Sequence, residues 1–381
     1  MKILFLDQSG KPGGAELCLL DIAKPYRDSC LIGLFADGSF RHLLEQHNIP
    51  VEVLATDPIA VRKESNLAQG LKSFGNLAPL IAKVVHLSRD RDLIYANTQK
   101  ALVVGAIASF IARRPLVYHL HDIISPEHFS QTNIRIIVTL ANRFASLVIA
   151  NSQATQAAFI AAGGRGDITQ VVYNGFTPEF YKNRDADIAQ AKQRLGMNGR
   201  FLVGQFSRLS PWKGQHILLQ ALKRCPEDVA AILVGDALFG EEDYVKDLHE
   251  KVAAMGLENR VKFLGFQSDI VPLMKACDLV VHTSTAPEPF GRVIVEAMLC
   301  KRPVVAAKAG GAMELIATNK TGWLVPPGDA IALADAIVAC RDRPENAATI
   351  VRNAEIEASE RFNLTSINKQ ILQLLSGIIK N

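Results

Sequence analysis

From Lys2 onward, short apolar runs alternate with longer stretches in which apolar residues return every three or four positions. The first pattern is that of strands buried on both faces, the second that of helices covering them, and their alternation predicts an α/β chain built on parallel sheets. In the first half the pattern predicts strands at Lys2–Leu6, Leu31–Phe35, Val51–Leu54, Asp92–Ala96, Leu116–Leu120, Leu147–Ala150 and Gln170–Tyr173, closed by Asn174-Gly175. Strands resume at Phe201–Phe206, Ala230–Val234, Val261–Leu264, Leu279–His282 and Pro303–Ala306. The polar stretch between them, Thr177 to Arg200, carries a short helix ending at Gly196 and marks a domain boundary. Residues 1–176 and 177–364 are therefore expected to form two doubly wound domains in series. In 365–381, Ile367, Ile371, Leu374, Leu375 and Ile378 share one stripe of an amphipathic helix that needs a partner surface.

A length of 381 residues suits two such units, and 49% hydrophobic against 21% charged residues describes a globular chain. The net charge of +4 arises from 42 basic and 38 acidic residues, too even a balance for a dedicated nucleic-acid binder, so no nucleic-acid partner is expected. Cys18, Cys30, Cys225, Cys277, Cys300 and Cys340 lie far apart, without the paired spacing of a zinc site or a disulfide framework, and read as reduced core thiols. The apolar run before Asp7 is too short for a signal peptide, and Ala101–Ala112 is shorter than the ~18 residues that cross a bilayer. A cytoplasmic protein is expected, with contact at the inner face of the plasma membrane left open. Ile134–Arg143 and Val61-Arg-Lys63 are the segments that could touch lipid, although core packing and solvated charge explain them as well.

The segment Ala286-Pro-Glu-Pro-Phe-Gly-Arg-Val-Ile-Val-Glu-Ala-Met298 places Glu288 in a loop leaving a strand, Gly291 at a helix start, and Glu296 about one turn further on. A helix N-terminus preceded by glycine is a ready anion site. Glu296 lies among Val293, Val295, Ala297 and Met298, where an unpaired carboxylate is costly, so it requires either a nearby Arg or Lys or ligand hydroxyls. Arg208 and Lys213 fall in the loop after Phe201–Phe206, where two fixed cations can neutralise a diphosphate, though each taken singly reads more often as a solvated surface charge. His119 and His121 share one strand face; His121, nearer the carboxyl end, is the better functional candidate and His119 the structural one. The Asp-x-Asp sequence Asp185-Ala-Asp187 lies in the polar boundary and not at a strand end, so no metal site is expected.

Glu288-Pro-Phe-Gly-Arg-Val-Ile-Val-Glu296-Ala-Met resembles the signature of the retaining glycosyltransferases of family 4, which have the GT-B fold of two Rossmann-like domains. The resemblance extends along the chain through Gly13-Gly14-Ala-Glu16, His121-Asp122, Asn174-Gly175, Ser207-Arg208-Leu-Ser-Pro-Trp-Lys213-Gly214, Phe263-Leu-Gly-Phe266, Gly310-Gly-Ala-Met-Glu314 and Thr321-Gly-Trp-Leu-Val-Pro-Pro-Gly328. It implies a metal-independent, cofactor-free transfer of a hexose, expected to be glucose from a UDP-sugar, to a saccharide or lipid-linked acceptor. His121, Arg208, Lys213 and Glu288 take the catalytic roles; Gly14, Phe266, Phe290, Gly291, Arg292, Val293 and Glu296 bind the donor. The second domain is expected to hold the nucleotide sugar, the first the acceptor, and the last helix to cross back to the first. The likeness points to bacterial enzymes that assemble exported or envelope polysaccharides, of the cyanobacterial envelope type. A nucleotide-sugar epimerase on the same fold, or a non-catalytic nucleotide-sugar-binding assembly protein, are the competing readings.

Overall fold

Among the residues described by the computed structural model, 1–55, 67–182, 188–238 and 240–380, the apolar runs become two wholly parallel sheets. The first contains β1 (Ile3–Asp7), β2 (Cys30–Leu34), β3 (Val51–Val53), β4 (Leu93–Ala96), β5 (Leu116–Leu120), β6 (Ala145–Ala150) and β7 (Thr169–Val171). The second contains β8 (Phe201–Phe206), β9 (Val229–Val234), β10 (Val261–Phe263), β11 (Leu279–His282), β12 (Val304–Ala307) and β13 (Trp323–Val325). Contacts divide the chain into one unit of Met1–Gly175 with Leu364–Asn381 and another of Phe176–Asn363.

The strand orders are β3-β2-β1-β4-β5-β6-β7 and β10-β9-β8-β11-β12-β13. Each order reverses direction at one point, between β1 and β4 in the first sheet and between β8 and β11 in the second. Helices leaving neighbouring strands there turn to opposite faces, and the carboxyl ends open a crevice in each doubly wound sheet. Those two strand pairs carry the candidate chemistry of their own units. Both sheets are Rossmann-like, the two folds that a GT-B chain requires.

The strands are buried on both faces because alternate residues feed different cores. Leu4 and Leu6 join Ile94, Leu116 and Tyr118 on one face of the first sheet, while Ile3 and Phe5 join Tyr95, Val117 and Ile149 on the other. The second face is completed by the final helix, Leu364–Lys380, whose Ile367, Ile371 and Leu375 pack into that same cluster. This is the partner surface the apolar stripe required; a fully buried Ile or Leu contributes roughly 1.5–3 kcal/mol. In the second unit Val203, Ala231, Leu233, Leu279, Val281 and Val305 form the corresponding core.

The strand pattern left out β13. It pairs with β12 through Val305↔Trp323 and Ala307↔Val325. Three residues flanked by Gly322 and Pro326 are too few to establish a period of two, so only the sheet edge reveals them as a strand. No helix among the described residues is long and apolar enough to cross a membrane. In Gln131–Phe144, Ile134, Ile137, Val138 and Ala141 face the core while Ile136 is exposed. Val61-Arg-Lys63 and Asp185-Ala-Asp187 lie outside the described residues.

Candidate active site

In the second unit, the loop after β8 and the loop after β11 meet at the switch point. Gln205, on β8, donates to the Lys213 carbonyl at 2.9 Å and to Thr283 Oγ1 at 2.8 Å, tying the Lys213 loop to the end of β11. Lys213 Nζ then reaches Glu288 Oε2 at 2.7 Å. The same oxygen accepts from Ser284 Oγ at 2.9 Å and lies 3.0 Å from His282 Nε2. Burial alone would raise the Glu288 pKa, but the Lys213 charge and the hydrogen bonds from His282 and Lys213 outweigh it and hold the carboxyl well below the ordinary carboxylate range. Held in its charged form, Glu288 is a poor base and an acceptor for hydroxyls.

The backbone of Glu288 is set as firmly as its side chain. It forms a parallel bridge with Gly310, and the Gly311 N–H donates to the Glu288 carbonyl at 2.7 Å. Gly310 has φ +59°, and a Cβ there would lie 2.3 Å from that carbonyl oxygen, so the close approach requires glycine. Three residues after Glu288, Gly291 enters the helix Arg292–Leu299 with φ +95°. The first-turn amides of such a helix have no intrahelical acceptor and offer an anion site.

Glu296 is buried in that helix and pairs with Arg292, Nε to Oε1 at 3.6 Å, one turn away on the same face. The Arg292 guanidinium also lies 4.6 Å from the Phe176 ring centroid. Phe290 is 2% exposed and its ring stacks on Phe176 at 6.4 Å and meets Phe362 edge-on at 5.8 Å. It is a packing residue, so a donor contact from Phe290 falls to its main chain. Val293 is half-buried on the first turn of this helix. Arg208 stands in the same loop as Lys213 and pairs with Glu241, 3.5 Å away. Both cations flank Trp212, Lys213 Nζ 4.0 Å and the Arg208 guanidinium 5.9 Å from its ring centroid. Phe266 follows β10 and is 61% exposed, as a side chain available to stack on a ligand is.

In the first unit, the corresponding switch point carries a different set of polar groups. Asp7 ends β1, Asn97 follows β4 and His121 follows β5. Asn97 Nδ2 donates to Asp7 Oδ2 at 2.7 Å and to the Ala15 carbonyl at 3.1 Å, which turns its Oδ1 toward His121 Nε2, 2.9 Å away. His121 therefore carries its proton on Nε2. Gly14 opens the helix Gly14–Ala23 and is exposed. Beneath it Glu16 Oε2 accepts the Gly13 N–H at 2.9 Å. Burial and then the neighbouring Asp7 charge push Glu16 up to about 8, and burial raises Asp7 as well. His119 is buried, shares a 2.8 Å hydrogen bond with the Tyr95 hydroxyl, and is held neutral by burial and by His121.

Sequence reasoning left out His282, Ser284, Asp7, Glu16 and Asn97 as site residues and gave Gly310 no role beyond its place in the family pattern. A polar residue closing an apolar strand was the available signal for Asp7 and His282. For Gly310 the family pattern was the available signal, while its contact with Glu288, distant in sequence, was not legible.

Residues 12–180 match the family described as Glycosyltransferase Family 4, and residues 187–356 the family described as Glycosyl transferases group 1. The chain is 66% identical to Anabaena HepE, whose crystal structure in complex with UDP-glucose superposes with a TM-score of 0.93 over 99% of this chain and 100% of that one. The phosphatidyl-myo-inositol mannosyltransferase of Mycobacterium leprae is 33% identical over 49% of this chain and 48% of its own. The chain spans about half the length of most curated relatives it matches. The sucrose-phosphate synthase of Thermosynechococcus elongatus, at 22% identity and a TM-score of 0.81 over 100% of this chain and 99% of that one, shares the fold.

Proposed function

This chain belongs to the family 4 glycosyltransferases of the GT-B fold, and from that premise we propose that it transfers glucose from UDP-glucose to an acceptor hydroxyl with retention of anomeric configuration. The observation that carries the donor assignment is the end-to-end identity of 66% with a protein solved in complex with UDP-glucose and, separately, with UDP and glucose. The Lys213–Glu288 cluster beside a helix N-terminus supports it with the required charges.

In this reading the pyrophosphate lies on the amides after Gly291, with Arg208 and Lys213 neutralising the charge that develops on the leaving oxygens. Arg208 exchanges Glu241 for phosphate. Glu296 accepts ribose hydroxyls and Glu288 holds hydroxyls of the transferred sugar; in the first unit His121, with Gly14 nearby, takes a positioning role. Phe266 stacks on the base, and the first turn at Arg292 and Val293 completes the donor site. The bond from C1 to the phosphate oxygen breaks with its electrons going to UDP, the acceptor oxygen bonds to C1 from the same face, and its proton passes to the leaving phosphate. A carboxylate already engaged by three donors is a weak nucleophile and a weak base, which favours this route over a covalent intermediate on Glu288. The transfer needs no metal, and the acceptor is a saccharide or lipid-linked glycan in polysaccharide or glycolipid assembly on the cytoplasmic side of the membrane.

Calorimetric titration with UDP, GDP and ADP and their sugars, combined with an assay for released glucose, tests the reading. Preferred binding of UDP and slow hydrolysis of UDP-glucose are expected. Absence of affinity for any nucleoside diphosphate overturns it, and release of an epimerised sugar without acceptor would identify an epimerase instead.

A further inference from the structure

Cys18, His119 and His121 come from three places in the first unit's sequence yet bring one donor atom each within 4.8 Å of the other two. The sequence offered no zinc spacing, because Cys18 sits on the helix Gly14–Ala23 and the histidines at the end of β5. The imidazole rings lie 3.9 Å apart at 39°. His119 Nε2 is buried with no hydrogen-bond partner among the described residues, and a buried polar atom left in that condition calls for a ligand. The opposite nitrogens are already held: His119 Nδ1 by the Tyr95 hydroxyl at 2.8 Å, and His121 Nε2 by Asn97 Oδ1 at 2.9 Å with Asp7 behind it. A hydrogen bond on one ring nitrogen is the usual companion of metal ligation by the other, since it fixes the tautomer and raises ligand basicity.

We propose that Cys18, His119 and His121 form a binding site for a thiophilic divalent cation, Zn2+, and that its occupation inhibits sugar transfer by holding His121. One thiolate and two imidazoles are a borderline-soft donor set that suits zinc, and three protein ligands leave the fourth tetrahedral position to water. His119 binds through Nε2, its Nδ1–H donating to Tyr95, and His121 through Nδ1. The Cys18 thiol, which donates to Asn174 Oδ1 at 3.3 Å, releases its proton to solvent as the metal binds. Rotation of the Asn174 amide then turns an N–H toward the thiolate. No oxidation or reduction is involved. The inhibitory part rests on the role given to His121 above; the binding part does not.

Co2+ is the probe for the site and Zn2+ for the inhibition, both added to the full chain. Thiolate-to-cobalt charge-transfer absorption is expected in the wild type and is lost in Cys18→Ser, while Zn2+ affinity falls about tenfold or more in Cys18→Ser and His119→Gln. Absence of the band, or its persistence in Cys18→Ser, overturns the site, and Cys18→Ala with unchanged circular dichroism excludes misfolding as the cause. In the transfer assay Zn2+ is expected to inhibit the wild type and to require about tenfold more metal in Cys18→Ser, whose metal-free turnover stays at the wild-type level. Equal inhibition of both overturns the link to His121. Lack of turnover in either protein fails the transferase reading, while the cobalt spectrum still decides the site.

Discussion

Glu288 and Glu16 are both glutamates at the switch point of a parallel sheet, 8% and 9% exposed, yet their carboxyls are driven in opposite directions. Burial pushes both upward. At Glu288 a lysine at 2.7 Å and two further polar groups overcome it; at Glu16 the neighbours are Asp7 and backbone N–H groups, and among the described residues no cation answers the charge. Burial thus sets the penalty and the local partner decides its outcome. The second unit holds a negative charge suited to sugar hydroxyls, while the first holds the raised carboxyl of Glu16 under a helix start and a relay from Asp7 through Asn97 to His121.

The largest effect is expected from Glu288→Ala, which should lower turnover about a thousandfold while leaving UDP binding measurable by calorimetry. Unchanged turnover would dismiss its role. Lys213→Met should lower turnover about a hundredfold and, in addition, make Glu288 behave like Glu16. With its cation gone the carboxyl rises, so the stability that the wild type keeps until acid protonates Glu288 should instead decline as pH rises through the carboxylate range, as read by denaturant midpoints. A pH profile identical to wild type would end the comparison. Gly310→Ala should lower stability by about 1–3 kcal/mol in thermal unfolding and reduce turnover more than nucleotide affinity, because the strain falls on the Glu288 backbone.

The smallest expected effect on turnover belongs to Glu16→Gln. Between the ordinary carboxylate range and about pH 8 the folded state holds the Glu16 proton that the unfolded chain has lost, so wild-type stability should fall as pH rises across that window. A single such group gives a slope of about 1 kcal/mol per pH unit, and the glutamine variant should flatten it. Equal slopes in urea titrations across that window would show that Glu16 ionises normally.

The strands Leu116–Leu120, Phe201–Phe206 and Leu279–His282 were legible to the residue, because short, mainly apolar runs bounded by polar or turn residues fix where a strand starts and stops. So was the need of the last helix for a surface, and the i,i+4 spacing that gives Glu296 its Arg292. Periodicity is local, and these features depend on neighbours within one or two turns. The joining of Lys213, His282 and Ser284 on one oxygen was not legible, nor was the glycine that seats Glu288.

What this chain determined by itself is its pair of parallel sheets, the strand ends where polar residues gather, and the motif that names its family, since each follows from residue pattern over short distances. Tertiary structure alone decided which carboxylate is charged, which imidazole nitrogen carries a proton, and that a cysteine stands beside two histidines. Those outcomes depend on dielectric surroundings and on contacts between groups far apart in sequence, as with Lys213 and Glu288 or Cys18 and His119, which only a folded chain brings close together.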